Sequence, residues 1–212
     1  MVADFDVCGR IIHDCWQYHG IGPDQRETDA YSSIAHSGYL AVALCSLSGT
    51  GVGQDAVEAV LFYLVGYSLI SVGAFGIIMW LEGAKPLSLQ LEDLVGLGKR
   101  HPWIAAALTI CMLGFAGMPP TVGFLGKFLV FKAALSAKMY SIVIVGAVGS
   151  AISFYYYLNV IVKMYLMQPK AGSSALVFAP RPRFAIALVF CSVVLILLAG
   201  LFPGPLLEAL KS

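Results

Sequence analysis

The chain has 212 residues, of which 59% are hydrophobic and only 12% are charged, and its formal net charge is +1. Soluble domains carry about 25% charged residues, so this composition excludes an ordinary soluble protein and indicates an integral membrane protein. A chain so close to neutral also lacks the basic excess with which nucleic-acid-binding proteins neutralise phosphates, so no nucleic-acid partner is expected.

Five hydrophobic segments follow one another along the chain. Because an α-helix rises about 1.5 Å per residue, about 20 apolar residues cross a bilayer. The first segment is the weakest, since it contains His36 and several serines, and we expect it to face other helices. The predicted fold class is an all-α, polytopic membrane helix bundle of about five transmembrane helices. The predicted spans are 32–48, 57–81, 103–135, 140–167 and 184–203.

The connections between these segments indicate their orientation. Pro86–Gly98 interleaves leucines with acidic residues, which predicts a loop containing a short interfacial helix. Basic residues gather in the whole connection between the second and third segments and in the one between the fourth and fifth segments. By the positive-inside rule both connections are expected to be cytoplasmic, with the C-terminus on the outer side. The basic residues are Lys85, Lys99, Arg100, Lys170, Arg181 and Arg183.

The third segment is interrupted in its middle. Pro119 and Pro120 remove two backbone donors, so we expect one discontinuous helix that breaks around Gly117–Gly126. Gly117 and Gly123 have no side chains, which lets water and neighbouring helices approach the break. A membrane helix breaks only where other helices, polar side chains or water satisfy the freed backbone groups.

Lys127 lies just beyond this break, far from Trp103 at the start of the segment. An ionisable residue inside a span indicates an ion or proton path by default, and burial disfavours the charged form, which helps a lysine to release its proton. The alternative is a lysine that extends to the interface, which is more typical of Lys132 and Lys163. The side chains of Tyr155–Tyr157 point about 100° apart on a helix, so they cannot form one proton wire.

The remaining chemistry-bearing residues predict no cofactor and no metal site. The cysteines include no CxxC pair, and those in apolar segments are typical of inert core residues. Nothing resembles a GxGxxG turn or a cysteine cluster that would hold a nucleotide, a flavin or an iron–sulfur cluster. The cysteines are Cys8, Cys15, Cys45, Cys111 and Cys191.

Four stretches of the sequence resemble one family. They are AYSSIAHSGYL (30–40), FYLVGYSLISVGAFG (62–76), LGFAGMPPTVGFLGKFLVF (113–131) and SAISFYYYLNVIVKMY (150–165). In this order they resemble the C-terminal part of subunit N, the antiporter-like subunit of the proton-pumping NADH-quinone oxidoreductases (respiratory complex I), over about 30–212. Related antiporter-like subunits share the Pro-Pro/Gly-Phe-x-x-Lys pattern, whereas its combination with YYYLNVIVKMY is specific to subunit N.

The resemblance implies a bundle built from inverted repeats, each with one discontinuous helix that holds a buried charged residue. It implies that Lys127 is the lysine of such a helix, passing protons along a water-filled path, and that His36 is a possible relay neighbour. The glutamate and the two lysines that form the family's other proton stations match no position here. The implied function is a proton-translocation step in the membrane arm, coupled to NADH oxidation and quinone reduction.

The resemblance also implies the partners. They are the other membrane-arm subunits and the lipid bilayer, whereas NADH and quinone are reached only through the whole complex, and FMN and iron–sulfur clusters are expected in partner subunits. The expected location is a bacterial inner membrane. Family members run to more than twice this length, so the chain alone is not expected to be catalytically active. Two alternatives stay open: a subunit of a cation/proton antiporter of the same ancestry, and a non-functional truncated remnant.

The first 29 residues match neither a membrane span nor the family. They mix charges with histidine and tryptophan and lack the apolar core of a signal peptide. The degenerate codons for Trp16–Asp29, read one nucleotide later, permit GNIMALAQTNVKRM, which resembles the family's segment before AYSSIAH. We therefore expect residues 2–29 to be out-of-frame translation of a subunit N gene rather than an unrelated soluble leader. In that case His13 and His19 have no role as metal ligands.

Overall fold

A computed structural model describes residues 38, 53–82, 91–168 and 183–211. Within these residues the regular structure is entirely helical, which confirms the all-α prediction. Apart from Gly38, the predicted span 32–48 with His36 lies outside the described residues, as does the N-terminal segment. The helices are α1 (Gly53–Glu82), α2 (Leu97–Arg100), α3 (Pro102–Ala116), α4 (Val122–Ser136), α5 (Tyr140–Leu166), α6 (Arg183–Leu201) and α7 (Gly204–Lys211).

Three of these helices are long and apolar enough to cross a membrane by themselves. The qualifying stretches are Asp55–Leu81 of α1, Tyr140–Leu166 of α5 and Phe184–Leu201 of α6. They coincide with the second, fourth and fifth predicted spans, because each is a long apolar run that no proline interrupts.

The third predicted span consists of two half-helices, α3 and α4, each 15 residues long. At about 1.5 Å per residue each measures about 22 Å, which is too short to cross about 30 Å of hydrocarbon alone. α3 ends at Gly117, whose φ of 76° lies in the left-handed region that glycine adopts readily. The amide of Gly117 closes the helix by donating to the carbonyls of Leu113 and Gly114 at 3.0 and 3.1 Å. The predicted break is confirmed.

α1 is the central helix of the described bundle, and α3, α4 and α6 pack against it. Its glycines allow this close contact, as small residues do between membrane helices. A Cβ on Gly73 would lie 3.0 Å from Sγ of Cys111 in α3 and 3.3 Å from Cβ of Ser192 in α6. Large side chains fill the remaining space of the core, among them Phe62, Ile70, Ile77, Leu81, Leu108 and Met164.

The part of Pro86–Gly98 that the structure describes forms turns over residues 91–96 and then enters α2. α2 consists of the four residues Leu97–Arg100, so it begins only at the end of the predicted stretch and extends two residues beyond it. Leu91, Leu94 and Leu97 are buried in the main core. The apolar side of this connection thus packs against the bundle.

The basic side chains of α2 lie at the same end of the bundle as the end of α5. Lys99 and Arg100 are exposed, and the amide of Gly96 donates to the carbonyl of Lys163 in α5 at 3.3 Å. A cluster of basic residues at one end is what the orientation derived from loop charges requires. The orientation itself stays a prediction.

The helix α7 was missed by the sequence analysis, which ended the fifth span at residue 203 and predicted no helix after it. α6 ends at Leu201, but a proline fits the first turn of a helix, and a new helix begins at Gly204. Leu206, Leu207 and Leu210 pack against the main core, whereas Glu208 is exposed. The chain therefore folds back onto the bundle after its last span.

Candidate functional site

The break between α3 and α4 lies inside the membrane span rather than at its end. Its flanks contact the middle of the long apolar stretch of α1. A Cβ on Gly114 would lie 3.0 Å from the side chain of Ile70, and a Cβ on Gly66 would lie 3.1 Å from the side chain of Val122. At this depth backbone groups cannot rely on bulk water and need partners within the protein.

Pro119 and Pro120 determine which carbonyl groups become available at the end of α3. In a continuous α-helix the carbonyls of Phe115 and Ala116 would accept hydrogen bonds from the amides four residues later, at positions 119 and 120. Both positions are prolines, which have no amide hydrogen. Two neighbouring carbonyl oxygens are therefore left for another donor.

Lys127 supplies that donor. It lies in the second turn of α4, and side chains in a helix point toward the N-terminus of their own helix, which here is toward the break. Its Nζ donates to the carbonyl oxygen of Phe115 at 2.9 Å and to that of Ala116 at 3.1 Å. It also donates to Oγ of Ser150 in α5 at 3.2 Å. Lys127 is only 5% exposed.

The end of α3 gives this ammonium group a favourable electrostatic environment. The last carbonyls of a helix carry a partial negative charge, which stabilises a cation placed there. A buried charge costs a large solvation energy unless it is hydrogen-bonded, and the oxygens of Phe115, Ala116 and Ser150 replace water around Nζ. The site can thus hold a lysine in the interior of the span.

Gly117 and Gly123 make room for this arrangement. A Cβ on Gly117 would lie 2.7 Å from Cδ of Lys127 and 3.1 Å from its Nζ. A Cβ on Gly123 would overlap the carbonyl oxygen of Gly114, so the two half-helices touch backbone to backbone at this point. The two glycines that the sequence analysis assigned to the break are thus in close contact, one with the lysine and the other with α3.

The backbone of the break is covered on another side by α6. A Cβ on Gly200 would overlap the carbonyl oxygen of Pro120 and would lie 2.6 Å from the carbonyl carbon of Thr121. Thr121 is buried, and its Oγ1 donates to the carbonyl of Met118 at 2.7 Å. Contacts from α6 therefore help to fix the residues between the two half-helices.

Aromatic rings stack on the end of α3 next to the lysine. The ring of Phe115 lies 5.5 Å from that of Tyr157 in a stacked arrangement, and 6.0 Å from that of Tyr67. Tyr157 is buried, whereas Tyr155 and Tyr156 are 69% and 50% exposed. The prediction that these three tyrosines point in different directions is confirmed, and Tyr157 is the one that packs.

The other predicted residues are placed away from this site or are not described. Lys132 is exposed, and its position five residues beyond Lys127 turns it about 140° around the helix. Lys163 is half-buried near the end of α5. His36, the possible relay neighbour, lies outside the described residues, so its role stays a prediction. Among the residues that the structure describes, no group of three or more His, Cys, Asp or Glu side chains could hold a metal ion.

Sequence comparison assigns the family. The profile described as NADH:quinone oxidoreductase/Mrp antiporter, TM, matches residues 24–153, which is more than half of the chain. The chain belongs to this family. Similar proteins include NADH-quinone oxidoreductase subunit N 1 of Solibacter usitatus, 42% identical over 84% of this chain and 35% of that protein. Another is NADH-quinone oxidoreductase subunit N of Geobacter metallireducens, 40% identical over 88% of this chain and 38% of that protein.

The chain therefore spans little more than a third of the length of these curated relatives. Solved structures give the same result for the fold. Respiratory complex I from Thermus thermophilus contains a chain that is 28% identical with a TM-score of 0.64, matched over 86% of this chain and 45% of that chain. The Mrp complex from Dietzia shares the fold at 18% identity with a TM-score of 0.63, over 88% and 46%.

Two residues of the site around Lys127 were missed in the sequence analysis. Neither Ser150 nor Gly200 was predicted to belong to the site. A polar side chain among the glycines of a span is a weak signal for Ser150, because such residues also serve helix packing. Nothing local distinguishes Gly200, since its role depends on a contact with Pro120, 80 residues earlier in the sequence.

The contact between the half-helices predicts a difference between two glycine substitutions. We expect Gly123→Ala to destabilise the protein by about 2 kcal/mol, because the new Cβ overlaps backbone that cannot move cheaply. For a chain of this length that lowers the midpoint of thermal unfolding in detergent by about 4–8 °C. Gly149→Ala is the matched control, since a Cβ there has no heavy atom within 4 Å. Equal midpoints for the two variants would contradict the close contact.

Proposed function

We propose that the chain is a membrane-arm subunit of a proton-pumping NADH:quinone oxidoreductase, in which Lys127 provides a proton-translocation step coupled to NADH oxidation and quinone reduction. One observation carries the proposal: Lys127 is buried inside the span and donates to the carbonyl end of a half-helix. The names of the relatives, subunit N of NADH-quinone oxidoreductases, supply the redox reaction to which the step is coupled.

The chemistry of a lysine suits this task. An ammonium group can lose a proton and regain it, whereas the guanidinium of arginine stays charged in proteins. The carbonyl oxygens around Nζ stabilise the charged form, and the surrounding apolar core disfavours it. A lysine held between these opposing effects can accept a proton from one side of the membrane and release it to the other.

The remaining parts of the function lie outside this chain. We propose that the other subunits of the complex bind NADH, FMN, iron–sulfur clusters and quinone, and that this chain contacts them together with lipid. The location proposed is the inner membrane of a bacterium, which fits the bacterial origin of the relatives. His36 is proposed as a relay neighbour on the resemblance alone.

A second candidate is a subunit of a cation/proton antiporter, because the family description covers both kinds of complex. The fold similarity to the Mrp complex is as close as that to respiratory complex I. Sequence identity favours the oxidoreductase. It is 42% to the subunit N 1 of Solibacter usitatus, whereas it is only 18% to the Mrp chain.

Purification of the complex that contains the chain separates the two candidates. We expect the chain to be recovered from native membranes together with hydrophilic subunits that carry flavin and iron–sulfur clusters, and we expect NADH to drive proton uptake into vesicles made from it. Recovery with membrane subunits alone, and cation-driven proton movement without any redox substrate, would favour the antiporter. The absorbance of the iron–sulfur clusters and a pH-sensitive dye provide the two readouts.

A further inference from the structure

Gly200 lies in the last turn of α6, where the end of that helix meets the break between α3 and α4. A Cβ on Gly200 would overlap the carbonyl oxygen of Pro120. It would also lie 2.6 Å from the carbonyl carbon of Thr121 and 2.8 Å from the amide nitrogen of Val122. All three atoms belong to the backbone that leads into α4. The backbone of α6 therefore lies directly against the start of the half-helix that carries the lysine.

Contacts with α1 keep α6 from moving away from the break. Two glycines of α1 let the first half of α6 pack closely against it. A Cβ on Gly76 would lie 3.0 Å from the side chain of Val189, and a Cβ on Gly73 would lie 3.3 Å from Cβ of Ser192. Small residues at such a contact allow two membrane helices to approach closely.

Helix α7 holds the other end of α6. The amide of Phe202 donates to the carbonyl of Leu198 at 2.8 Å, which closes the last turn of α6. The chain then turns back, and α7 packs against α1. Three leucines of α7 contact the main core: Leu206, Leu207 and Leu210. The end of α6 is thus anchored on both sides of its contact with the break.

The position of α4 determines whether Lys127 reaches the end of α3. Lys127 lies five residues after Val122, about 7.5 Å along the same half-helix. Its Nζ donates to the carbonyls of Phe115 and Ala116 at 2.9 and 3.1 Å. Because non-bonded carbon atoms pack best at about 3.5–4.0 Å, a side chain at position 200 would displace the start of α4 by about 1 Å. That displacement is large compared with the range of about 2.7–3.2 Å in which N–H···O hydrogen bonds form.

We propose that Gly200 is a positioning residue for proton transfer at Lys127. The bare backbone of α6 at this point sets the start of α4, and thereby the distance between Nζ and the carbonyl end of α3, while α7 is the anchor that keeps α6 in place. This inference rests on the proposed relay function of Lys127. Gly200 has no side chain and carries no proton itself; it acts through the backbone of residues 120–122.

Gly200→Ala tests the proposal in the complete complex that contains the chain. We expect the rate of NADH-driven proton uptake per assembled complex to fall about ten- to a hundredfold, because a misplacement of about 1 Å can cost a reacting group that much. We also expect the pH dependence of that rate to shift, since hydrogen bonds to the α3 carbonyls affect the protonation equilibrium of Lys127.

Two other glycines provide matched controls. Gly204→Ala changes the start of α7, but a Cβ there has no heavy atom within 4 Å, so the rate and the stability are expected to stay unchanged. Gly76→Ala crowds the side chain of Val189, away from the break. It is expected to lower the midpoint of thermal unfolding without shifting the pH profile. The comparison separates the positioning of Lys127 from the general packing of α6.

A normal rate in the assembled Gly200→Ala complex, or a reduced rate with an unshifted pH profile, would overturn the proposal. If Gly200→Ala lowers the amount of assembled complex, Leu207→Ala takes its place, because it loosens the contact of α7 with the main core. A normal pH profile in that variant would likewise overturn the proposal. Normal proton uptake by Lys127→Ala would instead refute the proposed function itself, so the two failures are distinguishable.

Discussion

Replacing Lys127 by alanine is expected to lower the rate of proton transfer through this segment about a hundredfold or more, in the range that a positioned proton-transfer group contributes. The substitution removes the ammonium group that donates hydrogen bonds to the carbonyls of Phe115 and Ala116. It leaves a methyl group that cannot carry a proton. Proton uptake into vesicles during NADH oxidation measures the effect.

The matched control is Lys132→Ala, on the same half-helix. Lys132 is exposed and lies on a different face of α4, so the control removes the same charge without touching the break. We expect it to pump at a rate close to that of the unmodified complex. The amount of assembled complex in the membrane must be measured for both variants, since a loss of assembly would lower pumping for another reason. Unchanged pumping by Lys127→Ala would remove the relay assignment.

Replacing both Pro119 and Pro120 by alanine is expected to impair pumping while Lys127 is still present. The two alanines restore amide hydrogens at the positions whose helical acceptors are the carbonyls of Phe115 and Ala116. A continuing helix would then compete with Lys127 for these oxygens, and the ammonium group would lose two of its partners. We expect a decrease in proton uptake of about tenfold or more, since two charge-assisted hydrogen bonds are at stake.

Pro102→Ala is the control for the double proline variant. Pro102 lies in the first turn of α3, where a proline replaces an amide that would have no partner within the helix. Its substitution should leave pumping unchanged. Pumping at the normal rate by the double variant would show that the prolines do not govern access of Lys127 to the carbonyls. A structure of that variant provides a second readout, because the account expects a more continuous helix through residues 117–121.

Much of this site could be predicted from the sequence because its signals are local. Two adjacent prolines within an apolar run are enough to predict a broken helix, and a lysine shortly after them is unusual in lipid. Helical side chains also point toward the N-terminus of their helix, so the direction of Lys127 toward the break could have been inferred. The identity of the two accepting carbonyls follows from the same spacing, since residues 119 and 120 are the prolines.

The rest of the site depends on contacts between helices that are distant in the sequence. Ser150 meets Lys127 only because α5 packs beside the break, and the register between two apolar helices is not encoded in either helix alone. Gly200 reaches the break for the same kind of reason. The helix α7 was missed because prolines such as Pro203 and Pro205 are typical both of the residues that follow a helix and of the first turn of a new one. The expectations for residues 1–29 and for His36 lie outside the described residues and stay predictions.

The central claim is that Lys127 gains and loses a proton, rather than acting as a fixed positive charge beside the carbonyls of α3. The most direct test is the number of protons translocated per NADH oxidised by the complex with Lys127→Arg. Arginine keeps the charge and can donate to the same carbonyl oxygens, but it does not release its proton. The account predicts that this number falls as far as it does in Lys127→Ala. A value equal to that of the unmodified complex would contradict the account and would show that only the charge is needed.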